Sequence, residues 1–203
     1  LLLGLRQPTA WTAIRPRAFE ASFASLRRAY RVVICDIDDD LEDETAGGSA
    51  DVEERNVMSR TASSQADVVM VVGSPGMKGL HSLSRLIEEL AASGVRHRRI
   101  VPIINRSPRK PGARSELSST LASLFDRGGK VGEIPSALFL PERRVDEALH
   151  DGVRLPDAIG QPLAEAFDAV LRREDGSRPI AKRGELVKPG SIGRWSGREA
   201  ALG

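Results

Sequence analysis

Four groups of residues in this chain stand where an apolar run gives way to a loop. In a parallel α/β sheet those are the positions that hold ligands. They are Asp36 with Asp38 and Asp39, the turn Gly73-Ser74-Pro75-Gly76, Asn105 with Arg106, and Pro135 with its neighbours. A carboxylate closing a strand, as at Asp36, can hold Mg²⁺ through its water shell, because this ion prefers oxygen ligands and keeps several waters. Asp38 offers a second carboxylate two residues on. The alternative is a solvated acidic loop, which suits the outer members Asp40, Glu42, Asp43 and Glu44. The side-chain amide of Asn105 carries both donors and an acceptor, which matches the edge of a purine base. The same amide can instead cap the strand-to-loop turn. Arg106, Arg109 and Lys110 can neutralise phosphates or form an ordinary solvated loop.

Other chemistries are excluded by motif. The phosphate-binding pattern G-x-x-x-x-G-K-[ST] does not occur, and residues 73–79 contain Lys78 without the required spacing. No G-x-G-x-x-G follows an apolar run, and no G-x-S-x-G elbow is present. His81, His97 and His150 lie far apart, and with the single cysteine, Cys35, they make no structural zinc set. One cysteine also excludes an internal disulfide and fits a reducing compartment such as the cytoplasm.

The elements that must position these residues alternate between apolar runs and helical patterns. A helix is expected over residues 17–29, with Phe19, Phe23 and Leu26 on one face, and a buried strand over 32–35. An acidic loop (38–49) leads to a helix at 52–64, then to a second buried strand at 68–72. The helix at 78–93 carries Leu80, Leu83, Leu86, Ile87 and Leu90 as one stripe, stopped by Gly94. A strand at 100–104 follows, and Pro102 marks it as an edge or bent strand. Next come a helix at 113–125, extended segments at 131–134 and 137–140, and helices at 142–150 and 162–173. Strand–helix units in series imply an α/β fold: a three-layer αβα sandwich with a mostly parallel, Rossmann-like sheet and helices on both faces.

Composition agrees. Of 203 residues, 40% are hydrophobic but only 4% aromatic, so the core is aliphatic, as suits buried parallel strands. The net charge of +2 makes no case for a nucleic-acid partner. No apolar stretch reaches the ~20 residues of a transmembrane helix, and the opening LLLGL lacks the flanks of a signal peptide. The chain starts with Leu, and residues 1–3 read as the tail of a strand entered mid-run, so a longer protein is expected. Residues 1–173 read as one domain. From Glu174 to Gly203, Gly, Pro and Ser dominate and basic side chains outnumber acidic ones, which reads as a disordered basic tail. Such a tail can make weak electrostatic contact with an anionic surface, while Pro179 and Pro189 oppose a membrane-inserting helix.

Taken in order, the strand-end pieces resemble the MinD/ParA family of P-loop ATPases. They are VVICD (32–36), ADVVMVV (66–72), SLSRLIEEL (82–90), VPIINR (101–106), VGEIP (131–135), LPERRVDEAL (140–149) and HDGVRLP (150–156). The likeness covers about residues 31–173. It implies an ATP-driven homodimer that switches partner or surface binding, in processes such as division, partitioning or assembly. It assigns the magnesium water shell to Asp36, with Asp38 beside it. Asn105 and Arg106 would contact the nucleotide, and Ile134 and Pro135 would line the base pocket. Two departures matter. The family's lysine loop belongs to a strand–helix unit expected upstream of Leu1. The small Pro-containing turn after the magnesium aspartate is replaced by Ile37-Asp38-Asp39-Asp40, whose carboxylates repel a triphosphate unless Mg²⁺ or basic groups intervene. The second expectation is therefore a degenerate, non-hydrolysing scaffold that binds protein partners.

Overall fold

The computed structural model describes residues 14–39, 41, 50–127, 135–145 and 150–175. The chain divides into two units, Leu1–Asp36 with Pro179–Gly203, and Ile37–Arg178.

In the first unit, helix α1 spans Pro16–Ala29. Proline suits its first turn, where an N–H would have no intrahelical partner. Arg27 and Arg28 lie in the last turn, where cations favour the negative end of the helix dipole. Phe19 and Phe23 stack with centroids 6.0 Å apart, and Phe23 is buried, so the expected apolar face exists. The chain beyond α1 departs from expectation. Residues 32–36 form no strand, and Val32 and Ile34 are 62% and 90% exposed. A β-branched run becomes a strand only where a neighbouring ladder takes its N–H and C=O groups. No strand among the described residues pairs with this one.

The second unit holds a three-stranded parallel sheet in the order β1-β2-β3, with β1 at Val69–Gly73, β2 at Ile100–Ser107 and β3 at Leu138–Pro141. Around it run α2 (Ala50–Gln65), α3 (Met77–Ala92), α4 (Pro111–Arg127) and α5 (Asp157–Asp175). Alternate strand residues serve opposite faces, as the pleat requires. Val69, Val71, Ile100 and Ile104 join Leu80, Leu83, Ile87 and Leu90 of α3 and Leu121 and Phe125 of α4 in one core. Val101, Ile103 and Leu140 join Val170 of α5 in another, with Met70, Ile159 and Leu163 packed against it. Helices therefore cover both faces, giving the three-layer α/β fold. Ile87, Ile100 and Ile104 are fully buried, each worth roughly 1.5–3 kcal/mol relative to exposure.

Helix α3 ends as its sequence indicates. Gly94 adopts φ +92°, and Val95 N–H donates to the Leu90 carbonyl at 2.9 Å, the closing bond of a glycine-terminated helix. The strand expected to be an edge or bent is not an edge but central, because β2 pairs on both sides, and its register is irregular between Ile104 and Ser107. Pro102 is tolerated because pairing with β3 begins only at Ile103. At Pro102 the strand has one neighbour, opposite Val71 of β1, so a proline without an N–H is accommodated.

Three smaller differences follow. Of the helix expected at 142–150, residues 142–145 are irregular, His150 is helical, and residues 146–149 lie outside the described residues. Helix α5 starts at Asp157, five residues before Pro162, which sits inside it. It continues through Asp175, two residues into the stretch read as tail. The expected strand at 131–134, with Ile134, and residues 176–203 lie outside the described residues. No described helix is long and apolar enough to cross a membrane.

Candidate functional site

The carboxyl ends of β1, β2 and β3 open onto a cleft of about 780 Å³. That size falls within the roughly 300–1,000 Å³ usual for small-molecule sites. Its wall comes from each strand end in turn: Pro75 after β1, Arg106 and Ser107 at the end of β2, Arg109 in the loop that follows, and Glu142 after β3. Met77 in the first turn of α3 and Ala113 in the first turn of α4 also border it.

The way these helices begin decides the character of the cleft. Gly76 is the N-cap of α3 and gives no side-chain cap, and the first turn of α3 contains no acidic residue. The first turn of α4 contains none either. The Arg114 N–H donates to the Lys110 carbonyl at 3.2 Å, which places Pro111 at the first helical position. The first N–H groups of a helix have no intrahelical partners and carry the positive end of its dipole. Two such ends face the cleft, in company with the Arg106 and Arg109 side chains. The loop between β2 and α4 is held by Arg114, whose Nε donates to the Pro108 carbonyl at 2.7 Å while its guanidinium lies 5.7 Å from the Phe139 ring centroid.

The turn after β1 is set by close packing. A Cβ on Gly79 would overlap the Ser74 hydroxyl and carbonyl oxygen and lie 2.9 Å from the Ser74 carbonyl carbon. Only glycine lets the first turn of α3 fold back onto the strand end at this distance.

Strand β2 runs three residues past Ile104, so Asn105 lies within it rather than closing it. The register with β3 shifts between Ile104 and Ser107. Arg106, inside that irregularity, adopts φ 54°, the left-handed conformation rare for a side chain of this kind. Bulges of this type re-aim side chains and recur beside functional sites. Asn105 is exposed, and its Oδ1 accepts a hydrogen bond from the Arg106 N–H at 2.9 Å. The turn-capping role therefore exists, and it leaves the amide NH₂ free among the described residues. Arg106 borders the cleft, whereas Asn105 and the half-buried Pro135 are not part of its wall.

No protein-family model, curated protein or solved structure matches the chain.

The acidic residues stand on irregular chain. Asp36 is exposed at the end of the first unit. Asp38 is exposed in the second, where its Oδ1 accepts the Asp39 N–H at 2.9 Å. Among the described residues no cluster of three or more His, Cys, Asp or Glu side chains forms a metal site. His150 lies 3.0 Å from Asp151 on the surface, away from the cleft wall. Packing around Cys35 pushes its thiol pKa above the ordinary value, although the residue is exposed.

Ser107 is the residue that sequence reasoning did not single out. It is 3% exposed and borders the cleft, and its Oγ has no hydrogen-bond partner among the described residues. Its one sequence signal is a polar residue following N-R. The orphaned hydroxyl depends on the strand running on to residue 107, which the apolar run did not show.

Proposed function

We propose that this chain is a nucleotide-binding α/β domain of the MinD/ParA type, acting in the cytoplasm as part of an ATP-dependent homodimer that switches partner or surface binding. The observation that carries the reading is the cleft beyond the strand ends, bordered by Arg106, Arg109 and two helix N-termini. In open α/β sheets this is where nucleotides sit. The sequence resemblance assigns the nucleotide contacts to Asn105, Arg106, Ile134 and Pro135. The free NH₂ of Asn105 can donate to a ring nitrogen of the base. Asp36 is the candidate for the magnesium water shell, since one carboxylate with several waters is a common arrangement for this ion. No phosphate-binding loop occurs in these 203 residues, so ATP binding by this reading needs that loop from outside them.

A second reading, a non-hydrolysing scaffold for protein partners, is favoured by the exposed apolar side chains of Val32 and Ile34 beside Asp36. A titration with fluorescent ATP, with and without Mg²⁺, separates the two. It compares the 203-residue chain, a version extended upstream, and that version carrying Asn105→Ala. The nucleotide reading expects tight binding only by the extended protein and a several-fold weaker affinity for the variant. Absence of binding by every form would reject it in favour of the scaffold.

A further inference from the structure

We propose that the cleft is a binding site for a sugar phosphate, with the phosphoryl group held by Ser107, Arg106, Arg109 and the first turn of α4. Ser107 is 3% exposed and borders the cleft, and its buried Oγ has no partner among the described residues. A buried hydroxyl without a hydrogen bond is costly, so native proteins keep few of them, and a ligand that supplies the missing bond is one reason to keep one.

The surroundings select the ligand. Arg106 and Arg109 are exposed and make no ion pair among the described residues. Ala113 brings the N-terminal turn of α4 to the same wall, with no acidic residue in that turn. Hydroxyl, guanidinium and free N–H groups are all donors, and a phosphomonoester presents only acceptors to them. Glu116 and Glu142 border the cleft as well. They oppose a bare anion and call for donors, which the hydroxyls of a sugar supply. A phosphoryl group carried on a sugar satisfies both sets, whether it comes from a nucleotide or from a free sugar phosphate. The proposal does not rest on the nucleotide reading, since it requires no base.

The test titrates the 203-residue chain with ribose 5-phosphate, inorganic phosphate, adenosine and AMP, followed by calorimetry. Wild type is expected to bind ribose 5-phosphate more tightly than inorganic phosphate. Ser107→Ala is expected to weaken it by about tenfold, as for a lost hydrogen bond to a charged group. The same variant should raise the melting temperature, because the unpaired hydroxyl is gone. A merely structural serine would not separate the two signs. Arg109→Ala, at an exposed position, should weaken binding and leave the melting temperature unchanged. AMP binding more tightly than ribose 5-phosphate supports the proposal with a nucleotide as source, and equal affinities support it with a free sugar phosphate. The proposal is overturned if wild type fails to bind ribose 5-phosphate, or if both variants bind it as wild type does. ATP binding by the extended protein that is indifferent to Ser107→Ala would overturn this site and leave the nucleotide reading intact. Ribose 5-phosphate binding through Ser107 without ATP binding by the extended protein would do the reverse.

Discussion

Asn105 and Arg106 are locked to each other: the N–H of Arg106 donates to Asn105 Oδ1 at 2.9 Å while Arg106 itself turns through φ 54°. The asparagine thus stabilises the left-handed turn that brings the arginine to the cleft. Arg106→Gly and Arg106→Ala both remove the guanidinium, but only glycine adopts this conformation without strain. The glycine variant should be the more stable of the two by about 1 kcal/mol, measured by urea denaturation. Equal midpoints would mean that the turn is not held in solution.

Gly79 gives the second prediction. A methyl group there meets Ser74 backbone, which cannot move without shifting the end of β1. Gly79→Ala should cost on the order of 1–3 kcal/mol, as for overpacking elsewhere, although alanine is the better helix former. Denaturation curves check this, and an unchanged midpoint would contradict the close approach.

Two isoleucines separate buried from exposed chain. Ile87 is fully buried against the sheet, and Ile87→Ala should cost about 2–5 kcal/mol. Ile34 is 90% exposed, so Ile34→Ala should change stability by less than about 0.5 kcal/mol. A large loss at Ile34 would place residues 32–35 in a strand after all.

Cys35 reports on the same segment through pH. Being exposed, it should react with iodoacetamide in the native protein. Its raised pKa, caused by partial desolvation, means that the reactive thiolate forms only at higher pH. The rate should therefore be low at neutral pH and inflect above the free-cysteine value of about 8.5. An inflection below that value, or no reaction before unfolding, would contradict the structure.

What was legible in the sequence follows a physical rule. Helix α3 was plain because Leu80, Leu83, Ile87 and Leu90 repeat at helical spacing and all are buried. Strands β1 and β2 were plain because short β-branched runs suit strands covered on both faces. Residues 32–35 carry the same signal and form no strand, since burial belongs to the pairing and not to the run itself. Pro102 suggested an edge or a bent strand, and the stagger of β3 leaves Ile100, Val101 and Pro102 paired on one side only. At the candidate site, Arg106 was recognisable as a residue at a strand end. Asn105 was recognisable too, with the capping alternative beside it. Ser107 was not, because a hydroxyl becomes an orphan only once the fold has surrounded it.

The most direct test of the central claim, that ligands bind beyond the carboxyl ends of β1 and β2, is amide chemical-shift mapping of the 203-residue chain titrated with ribose 5-phosphate at millimolar concentration. Shifts are expected to concentrate at Met77, Arg106, Ser107, Arg109 and Ala113. Shifts confined to residues 32–38 or to α1, or no shifts at all, would contradict the claim.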